Sequence, residues 1–214
     1  MANREIQSKK RYVLAFLIGS AIFIIGILIS FSVSYLQYQR ISNLQETISY
    51  DIFQDKILNS FFNKDICTNE SFSKISGDLG FQGKIIDDLE KKFGKNDEKV
   101  LFRKKFYSLI EIEHFEFVRT LNKECKSNID TILFFYSNED EDIDDSEKVG
   151  DLLAVAYRKS DNLMIYSFDI NLDSELIKSL KEKYRVEKSP TLIINEKIKI
   201  TDIKNVEDIE KYLD

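Results

Sequence analysis

The chain has 214 residues, 43% hydrophobic and 12% aromatic, enough for a packed core in one or two domains. A formal net charge of −6 excludes the basic footprint of a nucleic-acid binder. One proline, no tryptophan and an abundance of Lys, Ile, Asn, Glu and Asp read as compositional bias, which carries no function.

Tyr12 and Leu36 bound 25 residues without a charge. As a helix this run is about 37 Å long, enough to cross a bilayer with some tilt. Arg4, Lys9, Lys10 and Arg11 precede it against one acid, Glu5, whereas Arg40 beyond it is soon followed by Glu46 and Asp51. The asymmetry predicts a cytoplasmic tail (residues 1–11), a transmembrane helix (12–36) and an extracytoplasmic remainder: a single-pass protein of the cell membrane, touching lipid from Tyr12 to Leu36. A cleaved signal peptide stays open, because Ser32-Val33-Ser34 has a small-x-small form, as does a buried core helix. The run is, however, longer than the roughly 7–15 apolar residues of a signal peptide.

Residues 37–128 read as a helical region. A helix leaves the membrane and runs to about Phe62, with Ile41, Leu44, Ile48, Ile52 and Leu58 near one face. A polar connector with three glycines is expected over residues 64–83, then a short helix over 84–93 closed by Gly94. Asn96 or Asp97 caps a long helix to about Lys126, with apolar positions at Val100, Leu101, Tyr107, Ile110, Phe115, Val118 and Leu121. Cys67 and Cys125 each lie at or just past a long helix's C-terminal end. If the short helix returns the chain between two parallel long ones, those ends meet and a disulfide is expected; two unpaired thiols are the alternative. Two thiols and one histidine make a poor zinc set, so no metal site is expected there. That histidine, His114, lies mid-helix beside acids and reads as a packing or surface residue.

From residue 130 the pattern changes. Strands are expected over 131–136, 163–168, 191–195 and 198–203, with helices over about 146–158, 174–184 and 206–213. Ser174 is a candidate N-cap of the second helix. The order is β-α-β-α-β-β-α. The one proline, Pro190, stands where a buried strand begins in "YRVEKSPTLIIN", a position that suits a residue unable to donate to a sheet ladder.

That order, with Tyr-x-Val followed by Ser-Pro-Thr and an apolar strand, resembles the thioredoxin fold over about residues 129–214. The resemblance implies a cis Ser189–Pro190 bond and a backbone corner at Ser189, Pro190 and Thr191 that receives a substrate chain. The family's C-x-x-C would fall between the first strand and the next helix. Here Ile143-Asp144-Asp145-Ser146 stands in its place or, in another register, Asp140-Glu141-Asp142-Ile143. Both lack sulfur, and dithiol exchange needs an attacking and a resolving thiol.

Instead the stretch carries Glu139, Asp140, Glu141, Asp142, Asp144, Asp145 and Glu147. The plain reading is a solvated loop whose last acids suit a helix N-terminus. Asp140, Asp142 and Asp144 also match the first ligands of an EF-hand loop, but Asp145 stands where Gly is required and Asp151 where the bidentate Glu belongs.

The expected fold class is thus α/β: a transmembrane helix, a helical region (37–128) and a thioredoxin-like domain (129–214). The expected function is redox-inactive binding of a partner protein or peptide, with no cofactor. The rival is an oxidoreductase using Cys67 and Cys125 in an unusual arrangement. A structural scaffold that self-associates through its long helices, as a homo-oligomer, is the third reading.

Overall fold

The structure, a computed structural model, describes the backbone over residues 2–62, 67, 70–160 and 162–213. Side chains are described over residues 9–33, 35–36, 38–40, 42–43, 45–47, 67, 76–160 and 162–213. The chain divides into two compact units, Met1–Asn43 and Leu44–Asp214.

The first unit lies within a single helix, α1 (Ala2–Phe62). Its stretch Lys9–Thr47 is long and apolar enough to cross a membrane by length and composition, and none of its most apolar part is buried inside the protein. The helix continues unbroken past residue 37. The side chains of Ile41, Leu44, Ile48, Ile52 and Leu58, expected along one face, lie outside the described residues.

In the second unit the helical region departs from expectation. α2 spans Glu70–Phe93, so most of the expected glycine-containing connector is helix and the short helix is its C-terminal part. Glycine weakens a helix by only about 1 kcal/mol relative to alanine, and burial of an apolar face outweighs it. Gly83 has a packing reason to be there: a Cβ at that position would sit 3.2 Å from the Tyr107 hydroxyl. Gly94, at φ +93°, ends α2 as expected. Asp97, not Asn96, caps α3 (Glu98–Cys125), its carboxylate accepting the Lys99 and Val100 N–H groups.

A four-stranded sheet follows, from β1 (Asp130–Tyr136), β2 (Leu163–Asp169), β3 (Thr191–Ile194) and β4 (Ile198–Ile200) in the order β2-β1-β3-β4. β1 pairs parallel with β2 and antiparallel with β3, which pairs antiparallel with β4. Helices α4 (Ile143–Lys159), α5 (Glu175–Tyr184) and α6 (Glu207–Glu210) complete the expected β-α-β-α-β-β-α order. α4 starts three residues before its expected first turn, and Ser174 is the N-cap residue of α5 without a side-chain capping bond.

Alternation along the strands sorts the core into two faces. Ile132, Phe134, Leu192 and Ile194 meet Val149, Leu153 and Ala156 of α4 and Ile209 of α6. Leu133, Phe135, Tyr166, Phe168 and Ile193 meet Ile177 and Leu180 of α5, Ile110 and Phe115 of α3, and Leu79 of α2. The α2–α3 pair therefore shares a core with the sheet. Near its start α3 is also tied to α1, where buried Gln45 exchanges bonds with the Arg103 carbonyl (3.3 Å) and guanidinium (3.0 Å).

His114 is buried, with Nδ1 2.9 Å from the Tyr166 hydroxyl and Nε2 3.1 Å from that of Ser76. It is a packing residue joining α2, α3 and β2. Burial pushes its pKa down to about 4. The unfolded chain therefore binds more protons between about pH 6.5 and 4. The stability tied to His114 is complete above 6.5 and is lost as pH falls towards 4, by about 3 kcal/mol in all. One turn earlier, Glu111 has the opposite sign: burial raises its carboxyl well above the usual range, so its contribution is complete at low pH and is lost as pH rises. Thermal unfolding of wild type and His114→Phe across pH 4–6.5 should show the variant losing much less stability on acidification. Parallel curves would show that His114 titrates normally.

Candidate binding site

The carboxyl end of the central strand β1 faces the first turn of α4 and the corner that leads into β3. This is the place where open α/β sheets present ligand sites. Three serines meet there. Ser146, buried in the first turn of α4, accepts the Ser137 N–H through Oγ at 3.1 Å, and that Oγ lies 3.0 Å from the Ser189 hydroxyl. The Ser137 hydroxyl accepts the Glu139 N–H at 3.1 Å. In the first of the two registers the Ser146 hydroxyl thus occupies one of the two positions where the resemblance would place a thiol, and Ile143 the other. Among the described residues no base reaches Ser146, because His114 is engaged elsewhere.

The Ser189–Pro190 bond is cis. Pro190 and Thr191 are buried, and the Thr191 hydroxyl turns back to donate to the Lys188 carbonyl at 2.7 Å. Of the three expected corner residues only half-buried Ser189 reaches the surface. No hydrogen bond engages its backbone N–H or carbonyl among the described residues. The structure therefore brings Ser146 and Ser189 together, and leaves Asp144 and Asp145 exposed in the first turn of α4.

The acidic run leads from the end of β1 into the first turn of α4. Glu139, Asp140 and Glu141 are exposed, and the Glu139 carbonyl accepts the Asp142 and Ile143 N–H groups, each at 3.0 Å, to start the helix. That start divides the EF-hand-like pattern: Asp140 and Asp142 precede α4 and Asp144 lies inside it. Among the described residues no three acidic, His or Cys side chains gather to hold a metal ion.

The α2–α3 hairpin closes the other side. Between it and the β1 end lies a cavity of about 600 Å³, lined by Ile86 and Glu90 of α2, Lys104 of α3, Asn138, Ile143, Ser146 and Asp169 among others. The Lys104 ammonium bonds Asp169 and lies 2.7 Å from Glu90 Oε1, with side-chain exposures of 4%, 6% and 12%. Asn138 donates its amide to Asp169 Oδ2 (3.1 Å) and Glu90 Oε1 (3.4 Å). Burial first, and then Asp169 and Glu90, hold the Tyr136 hydroxyl well above the usual phenol range. These residues escaped sequence reasoning. Asn138 follows a strand and reads as turn chemistry, and nothing local marks Lys104 as facing two distant acids.

Cys67 and Cys125 are joined in a disulfide, Cα to Cα 5.5 Å. The expected pairing forms, and the helix that returns the chain between the two cysteines is α2, 24 residues long and not the short helix expected. Cys125 packs with Val118, Leu121 and Ile129, beside the amino end of β1, so the bridge and the Ser146–Ser189 site lie at opposite ends of that strand.

No protein-family model and no curated protein matches the chain. A crystal structure of thioredoxin O2 from Arabidopsis thaliana, in the oxidised state, is similar at 17% identity over 45% of this chain and 83% of that one, with a TM-score of 0.35. At that score the likeness carries no argument of its own.

Proposed function

We propose that this chain is a membrane-anchored thioredoxin-like binding protein whose α/β part lies outside the cytoplasm, where it holds an extended segment of a partner protein without exchanging disulfides. The observation that carries the reading is the Ser189 corner. Its backbone N–H and carbonyl make no hydrogen bond among the described residues, and it stands against a buried serine at a helix start where a redox site would carry thiols. A backbone pair of this kind suits an extended chain, which supplies one donor and one acceptor per residue. The strand order and the proline entering β3 support the thioredoxin-like assignment, and the long apolar helix supports the anchor. Both cysteines of the chain are in one bridge at the far end of β1.

Photo-crosslinking from position 188, exposed beside the corner, in intact membranes tests the docking. A discrete partner adduct is expected, lost when an extended competitor segment is added. Labelling only by bulk lipid would refute it. The absence of exchange chemistry is tested separately: the purified protein should reduce insulin no faster than buffer. Turnover that survives Cys67→Ser with Cys125→Ser would leave this function without a mechanism.

A further inference from the structure

We infer that the cavity between the α2–α3 hairpin and the carboxyl end of β1 receives a basic side chain, arginine or lysine, from the docked partner segment. The inference rests on the docking function proposed above and names what that segment must carry. At about 600 Å³ the cavity admits a long side chain and a short stretch of backbone, not a folded domain.

Its charge is unbalanced. Asp87, Glu90, Glu147 and Asp169 line it against Lys91, Lys95 and Lys104, four acids to three cations. Lys91 closes on Asp87 at 2.6 Å, and Lys95 offsets Glu147 in formal charge. What remains is Lys104 facing two carboxylates, one negative charge in excess on a nearly buried wall. Asp169 uses both oxygens, Oδ2 for Lys104 and Asn138 and Oδ1 for the Asn171 N–H. Glu90 Oε1 takes Lys104 and Asn138, while its second oxygen accepts no bond among the described residues. An incoming ammonium or guanidinium finds there an acceptor and the missing counter-charge. Charge pairs removed from water are where such complementarity has most effect on binding.

Two further features point to the same ligand class. Ile86, Phe134, Tyr136 and Ile143 line the same space and suit the aliphatic stem of a lysine or arginine. The exposed acids Glu139, Asp140, Glu141, Asp144 and Asp145 lie along the chain between the lining residues Asn138 and Ser146, and their charge attracts cations before contact.

The test uses the full chain in lipid nanodiscs with methyl-labelled isoleucine, since Ile86 and Ile143 both line the cavity. The probes are blocked Gly-Ser-Arg-Ser-Gly and its lysine, citrulline and glutamate counterparts. The arginine and lysine peptides should shift both methyls saturably, bind about tenfold or more tightly than the citrulline isostere, and weaken with added salt. The glutamate peptide should leave both unmoved. Glu90→Gln should bring arginine and citrulline to within about twofold; Glu147→Gln, at an exposed position, should narrow the gap in the same direction and serves if the first variant does not fold. Arginine and citrulline peptides binding equally would overturn the inference and leave docking intact. So would peptides that crosslink at position 188 yet leave Ile86 and Ile143 unmoved. Engagement at neither place would overturn the docking function as well.

Discussion

Lys104→Met is expected to cost about 3–5 kcal/mol of stability, the usual result of removing one partner from a buried ion pair. The substitution keeps the length of the aliphatic stem and removes the ammonium. Glu90 and Asp169 would then share a nearly buried wall with only the Asn138 amide between them, at side-chain exposures of 12% and 6%. For a unit of this size each kcal/mol corresponds to roughly 2–4 °C, so the melting temperature should fall by roughly 6–20 °C. Adding Glu90→Gln and Asp169→Asn should recover most of the loss, because the liability is uncompensated charge and not missing volume. Thermal unfolding followed by circular dichroism measures all three proteins. A loss below about 1 kcal/mol in the single variant would mean that water reaches these carboxylates freely and screens them as at a surface.

The triad also shows where sequence reasoning reached and where it stopped. β1 was legible because six apolar or β-prone residues in a row can satisfy two core faces, and both faces exist. The strand order was legible as alternating short periodic segments. Pro190 marked the start of β3 because a residue without an N–H has few places in a sheet. Within the helical region only the connector failed. Three glycines over residues 77–83 read as a loop, yet α2 runs through them, and only the approach of Tyr107 from the neighbouring helix explains the one at 83. Tertiary contact overrode local propensity there.

The site divides in the same way. Ser189 and Ser146 could be singled out because a motif position is defined by its neighbours along the chain. Lys104, Glu90 and Asp169 could not, since their meeting is decided by how a hairpin docks on a sheet and no period records that. Of the three corner residues, Pro190 and Thr191 are buried and Ser189 alone reaches the surface, a difference that strand position along the chain does not record.

Replacing Cys67 and Cys125 by serine is expected to lower stability by about 4 kcal/mol in the chain-entropy account. The bridge spans a sequence separation of 58 residues, and reopening a loop of that size returns the corresponding freedom to the unfolded chain. The architecture says where the loss will be felt. α2 and α3 are joined at one end by the short turn after Gly94, and at the other the bridge ties Cys67, three residues before α2, to the last residue of α3. Without it the start of α2 and the end of α3 should fray first, raising amide exchange at the C-terminal end of α3 before the sheet. Val118, Leu121 and Ile129 continue to hold α3 against the amino end of β1, which limits the opening. The Ser146–Ser189 contact, at the other end of β1, should persist, so partner crosslinking at position 188 should survive in the variant at temperatures below its lowered melting point. A structural bridge and a redox function part here. Loss of stability with docking retained supports the former. Docking abolished in a variant that remains folded would tie the bridge to the site. Mass mapping without reductant that finds both thiols free in the native protein would remove the basis for the stability loss altogether.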